Sequence, residues 1–227
     1  MEFTPLKSGA SVEGDEIKSF RSTLKGDDYV YLIGGTHGDE VEGVYVLQKL
    51  FDWLKETEEV ETPLIVLPIL NVDGYRAGTR VNAHGVDLNR NYPTTSWSPD
   101  FKEDKYNPGA GPLSEPENVY LDKIFQKYPP RIIISFHSWK PLVNYNGKCL
   151  DVAEFISRHN DYEIADDVGY PTPGSLGTYG PEKYQSPVIT FECPLLSDDK
   201  SLKDIWAENQ SAFENLLKSG ILHQSFK

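Results

Sequence analysis

The chain has 227 residues, 38% hydrophobic and 25% charged, which fits one globular domain with a sizeable core. Its net charge of −13 comes with scattered lysines and arginines and no basic cluster, which argues against nucleic acids and membranes as partners. No apolar run approaches the ~18 residues of a membrane span. The N-terminal MEFTPLKSGASVEGDEIK has no secretory h-region, and two cysteines, Cys149 and Cys193, make no disulfide framework, so the expected location is cytoplasmic.

In chain order, residues 29–34 read as a buried strand, and residues 39–56 as an amphipathic helix with Val41, Val44, Tyr45, Leu47, Leu50, Phe51 and Leu54 near helical spacing. Leu64 to Leu70 is a second apolar run. The stretch 71–113, rich in Gly, Asn, Pro and Asp, predicts a long functional loop. Ser114-Glu115-Pro116-Glu117 predicts a capping box opening a helix that turns Val119, Tyr120, Ile124 and Phe125 inward; its glutamates are given that structural job. Strands are predicted at 131–136 and 187–192 and helices at 151–159 and 199–217, while 163–168 fits either type. Apolar strands alternating with helices predict one α/β domain over 1–227, a mixed, mostly parallel sheet with helices on both faces.

Two strand ends carry the chemistry. His37 and Glu40, three apart in GGTHGDE, follow the first buried strand, and His137 closes the apolar run RIIISFH. Two imidazoles and one carboxylate are the ligand count of a catalytic zinc, which keeps a fourth position open. Open α/β sheets bind ligands beyond the carboxyl ends of their strands, where both halves of this set fall. The loop NVDGYRAGTRVNAHGVDLNRNYP adds Arg80, Asp87, Asn89 and Arg90 just upstream, and arginine forks suit carboxylates and developing oxyanions. His84, His159 and His223 have no partner at ligand spacing.

The ordered set GGTHGDE, N-x-D-G, GVDLNRN, SFH and TFE resembles the zinc carboxypeptidase family over about residues 30–193, and VGYPTPGSLGTYG brings it nearest the small bacterial murein peptide amidase branch. PLSEPE stands where a longer insertion is expected, which shortens one rim of the cleft. The resemblance implies one Zn2+ per chain on His37, Glu40 and His137. It implies Glu192 as general base for metal-activated water and Arg80 as the donor to the oxyanion. Asn89 and Arg90 would grip the substrate carboxylate, and Asp87 would hold a ligand histidine, His37. Tyr170 would lie over the substrate and Ser175 would floor the leaving-group pocket. The implied substrate is a murein tripeptide cut between γ-D-glutamate and meso-diaminopimelate, with the chain acting as monomer or homodimer. Other carboxypeptidases of cell-wall or ordinary peptides, and N-acyl amino acid deacylases of the desuccinylase and aspartoacylase kind, share parts of this pattern. A catalytically dead peptide-binding module would have lost a ligand or the base, and neither is lost.

Overall fold

A computed structural model describes residues 1–197 and 199–226. Among them, eight strands form one sheet in the order β1-β4-β6-β5-β7-β10-β8-β9. These are β1 (Phe3–Pro5), β4 (Phe20–Ser22), β6 (Leu64–Leu67), β5 (Tyr29–Gly34), β7 (Pro130–Trp139), β10 (Val188–Pro194), β8 (Leu142–Asn146) and β9 (Glu163–Ala165); β2 (Gly9–Ala10) and β3 (Glu16–Ile17) pair apart. The four central strands, β6-β5-β7-β10, run parallel, flanked by antiparallel pairings β1-β4, β4-β6 and β10-β8. The helices are α1 (Val41–Glu56), α2 (Val72–Ala77), α3 (Pro116–Lys127), α4 (Leu150–Asn160), α5 (Leu176–Tyr179) and α6 (Leu202–Lys218).

The strands are apolar throughout because both faces are covered, as parallel sheets require. Every residue of β5 is buried. Successive side chains leave opposite faces, so Val30, Leu32, Ile132, Ile134, Phe136 and Phe191 pack with α1, α4 and α6, while Tyr31, Ile33 and Ile133 pack with α3 and α5. Phe136, Phe191 and Phe213 knit the first layer, with ring centroids 4.8–6.0 Å apart; full burial of such a side chain contributes about 1.5–3 kcal/mol. The same alternation sets Ser135 and His137 of β7, and Thr190 and Glu192 of β10, on the opposite face, at the carboxyl end of the sheet. Parallel register pairs Glu192 directly with His137.

Helix α1 is drawn close at that end. A Cβ on Gly43 would stand 2.9 Å from the backbone N and O of His137, and the Gly43 N–H donates to Ser138 Oγ. Glycine is therefore what lets α1 seat against the strand that carries His137.

Several elements depart from the sequence reading. Helix α1 begins at Val41, and the closing helix begins at Leu202, where Ser201 and Asp204 form a reciprocal capping box. The expected box at Ser114 does not form: Glu115 is the N-cap of α3 without a side-chain bond, and Ser114 Oγ donates to Glu115 Oε1. Glu115 and Glu117 are instead buried and both accept from Asn82 Nδ2, at 2.8 and 3.1 Å. The inward face of α3 is Leu121, Ile124 and Phe125, with Val119 and Tyr120 half-buried. The 71–113 loop is more ordered than expected: Asn71 caps α2 by accepting from Gly74 N–H, and 3₁₀ turns span Leu88–Arg90 and Asp104–Tyr106.

Candidate active site

A cleft of 560 Å³ opens beyond the ends of β5, β7 and β10 and is lined by His37, Glu40, Arg80, Arg90, His137 and Glu192, among others. Ligand atoms of His37, Glu40 and His137 all lie within 4.8 Å of one another. Glu40 Oε1 is 2.6 Å from His37 Nδ1, Glu40 Oε2 is 2.7 Å from His137 Nδ1, and the two Nδ1 atoms are 3.3 Å apart. The other nitrogen of each ring is engaged elsewhere: His37 Nε2 lies 3.0 Å from Asp87 Oδ1, and His137 Nε2 lies 2.9 Å from Ser135 Oγ. Both imidazoles therefore turn Nδ1 and one carboxylate toward a single point, a donor set and outer support that fit zinc.

Charge is concentrated here. Burial alone would depress His37, yet the Glu40 and Asp87 carboxylates raise it to about 9. Burial works against ionising Glu40 and Asp87 as well, but the histidines hold Glu40, and His37 with Arg80 and Arg90 hold Asp87, well below the usual carboxylate range. A metal must displace the proton on His37, because only neutral imidazole ligates. Metal affinity is therefore expected to fall about tenfold per pH unit below pH 9 and to level off above it, one proton being released per ion; isothermal titration with zinc in buffers between pH 6 and 9.5 reads this directly. A flat profile would mean that His37 binds no metal.

Glu192 sits beside this group. Its Oε2 is shut from solvent with no hydrogen-bond partner, and burial, reinforced by Glu40 against the pull of His137, raises its pKa to about 7. Such a carboxyl exchanges protons near neutrality, as a general base must. Arg80 donates through Nε and Nη2 to Asp87 Oδ2, while Nη1 makes only a 3.4 Å contact to Glu40. Asn89 Oδ1 accepts from the Leu176 N–H, tying the 3₁₀ turn to α5. Arg90, 5% exposed, donates to the Asn89 carbonyl and has no carboxylate partner among the described residues. Its carbonyl is packed against Gly174, whose φ of +70° and 2.2 Å Cβ approach to that oxygen leave room for nothing larger.

Ser175 lines the cleft, but its hydroxyl accepts from the Thr178 N–H and so caps α5. Tyr170 stands on the rim, 43% exposed, edge-on to Trp139 at 6.1 Å. His84 is bound 2.8 Å from Glu115, away from the ligand group. One further cleft residue carried no signal in the sequence: Tyr106, from the 3₁₀ turn Asp104–Tyr106. No helix among the described residues is long and apolar enough to cross a membrane.

Comparison with known proteins adds an independent line. The family described as zinc carboxypeptidase matches residues 3–215. Murein peptide amidase A of Vibrio campbellii is 31% identical over 212 residues, covering 88% of this chain and 83% of the relative. Among solved structures, murein-tripeptide amidase MpaA of Escherichia coli O157 superposes with a TM-score of 0.74 at 25% identity, covering 93% of this chain and 90% of that one. Carboxypeptidase A of Helicoverpa armigera superposes at 0.78 with 18% identity, over 97% of this chain and 68% of that one, which shows a shared fold.

Proposed function

The chain belongs to the zinc carboxypeptidase family and is a peptide-bond hydrolase, and from that premise we propose that it is a zinc-dependent amidase cutting the γ-D-glutamyl–meso-diaminopimelate bond of freed murein peptides in the cytoplasm, with one zinc per chain. The observation that carries the reading is the buried, unpaired Arg90 in the same cleft as the His37, Glu40 and His137 group. A buried cation with no carboxylate among the described residues in direct contact, its nearest anionic influence being an Asp87 already bonded to Arg80 and His37, is costly. A free substrate carboxylate next to the cut supplies one, and it is what separates an exopeptidase from a general amidase. The cations lining the cleft, Arg80, Arg90 and Lys105, gather around Tyr106. The cleft lining also carries Asn144, Asn146, Asp166 and Asp167 from β8 and the segment after β9, a stretch that contributes no cation. A side chain ending in both ammonium and carboxylate, as in diaminopimelate, suits that division. The relatives named murein peptide amidase support the same substrate class.

In this mechanism, zinc held by His37, Glu40 and His137 would polarise the scissile carbonyl and lower the pKa of a water to about 7. Glu192 accepts the proton of the attacking water at its unpartnered oxygen and returns it to the leaving amine. Arg80, braced by Asp87, turns Nη1, which makes only the long contact to Glu40, toward the developing oxyanion. Arg90 and Asn89 bind the substrate carboxylate, Asp87 fixes the ring of His37, Tyr170 closes over the bound peptide, and Ser175 shapes the floor of the leaving-group pocket.

The test is a substrate panel: L-Ala-γ-D-Glu-meso-diaminopimelate, an N-succinyl amino acid and a plain C-terminal dipeptide, each at equal concentration with zinc-loaded protein. The tripeptide is expected to be cut with a kcat/KM at least about 100-fold above the others, since leaving built polar groups unpaired costs on that order or more. Preference for the N-succinyl substrate would move the protein to the deacylases.

A further inference from the structure

We propose that Tyr106 is a positioning residue that holds the Arg90 guanidinium ready for the substrate carboxylate; this rests on the reading of Arg90 given above. The guanidinium carbons of Arg80 and Arg90 each lie 5.5 Å from the centroid of the Tyr106 ring, and Lys105 Nζ lies 5.0 Å from it. Three cations thus share one aromatic ring at the edge of the cleft. The negative face of the ring attracts each of them and offsets part of their mutual repulsion.

The ring is registered by backbone rather than by chance. Tyr106 ends a 3₁₀ turn, and the next residue, Asn107, is paired twice with the turn that separates the two arginines: the Asp87 N–H donates to the Asn107 carbonyl at 2.8 Å, and Asn107 Nδ2 donates to the Gly85 carbonyl at 2.9 Å. Arg80 and Arg90 flank that same turn, so the ring and both guanidinia are set on one frame.

The two arginines differ in what else holds them. Arg80 donates two hydrogen bonds to Asp87 and reaches Glu40, so it keeps its place with or without the ring. Arg90 has one side-chain hydrogen bond, from Nη1 to its neighbour's carbonyl, and no carboxylate among the described residues within ion-pair distance, Asp87 acting on it only at longer range. The Tyr106 ring is therefore the one close contact on the Arg90 guanidinium, beyond that single bond, that can set its direction. A residue acting through Arg90 affects capture of the carboxylate. Acting through Arg80 it would affect the chemical step instead.

The experiment separates these. Tyr106→Ala and Tyr106→Phe are compared with the parent zinc-loaded protein in two measurements: turnover of the tripeptide, and calorimetric Kd for the tripeptide in a Glu192→Gln background. A second probe carries an amide in place of the diaminopimelate carboxylate beside the cut. Loss of one partly desolvated cation–π contact corresponds to a Kd and KM about 5–20-fold higher for Tyr106→Ala, with kcat within about twofold. Tyr106→Phe keeps the ring face and stays within twofold of the parent in both. The amide probe binds Tyr106→Ala and parent equally, and Tyr106→Ala adds no penalty on top of Arg90→Ala. An equal penalty on acid and amide probes, a fall in kcat matching the rise in KM, or a Tyr106→Phe as impaired as Tyr106→Ala would each overturn the proposal. An unchanged Kd in Tyr106→Ala while Arg90→Ala weakens binding would overturn it alone. An unchanged Kd in Arg90→Ala would overturn it together with the reading of Arg90.

Discussion

Glu192→Gln is expected to lower turnover of the tripeptide by about 10²–10⁴-fold, the usual contribution of a positioned acid or base, while the protein keeps its zinc and its fold. Three features lead to this. Glu192 lies in register with His137 across β7 and β10 but is outside the trio that converges on one point. Its Oε2 has no hydrogen-bond partner, so no structural bond is lost with the charge. Glutamine has the same shape and is neutral, so it also removes the desolvation cost that raises the Glu192 pKa to about 7. Stability is thus expected to hold or rise slightly. Turnover under saturating substrate, zinc content by elemental analysis and a thermal melt check the three parts together. Turnover within a few-fold of the parent would remove Glu192 from the proton-transfer role.

Asp87→Ala is expected to damage stability and metal binding together. Asp87 is fully buried and accepts four contacts: the Asn89 N–H and His37 Nε2 on Oδ1, and Arg80 Nε and Nη2 on Oδ2. Alanine leaves Arg80 Nε and Nη2 and His37 Nε2 facing a void, with Glu40 the one carboxylate among the described residues still in reach of both side chains. Breaking one side of a buried charged pair costs about 3–5 kcal/mol, and removing the partner of a ligand histidine weakens metal binding about 10–100-fold. Urea unfolding and zinc titration measure the two separately. Asp87→Asn fills the same space, so it is expected to recover part of the stability but little of the affinity, because an amide lacks the charge that sets His37. A cost below about 1 kcal/mol with unchanged zinc affinity would contradict this picture of the network.

Much of this architecture is legible in the sequence because local burial and local period agree there. YVYLIG is buried at every position in the structure, and its short run of aromatic and branched residues carries a buried-strand signature. His37, Glu40, His137 and Glu192 stand out because each follows or ends such a run, and the parallel sheet brings the ends of those runs together. What could not be read depends on distant partners. Ser114-Glu115-Pro116-Glu117 has the letters of a capping box, but the amide of Asn82 captures both carboxylates. Ser175 reads as part of a pocket floor and does line the cleft, but its second job, capping α5 by accepting from the Thr178 N–H, does not show in the letters. Strand β8, LVNYN, alternates over only four residues, and the turn of Asn144 and Asn146 toward the cleft follows from its pairing with β10. Helix α2 is six residues long with a glycine inside it, and is held by the Asn71 cap and by Asn71 Nδ2 on the Arg80 carbonyl. Tyr106 is silent in the sequence because its place follows from the pairing of Asn107 with the 85–87 turn.

The most direct measurement incubates the zinc-loaded protein with L-Ala-γ-D-Glu-meso-diaminopimelate, with and without a chelator, and follows products by mass spectrometry. Free diaminopimelate and L-Ala-D-Glu are expected to be released, with release abolished by the chelator and restored by added zinc. Intact tripeptide in the presence of metal-replete, folded protein, or release that the chelator does not touch, would contradict the proposed function.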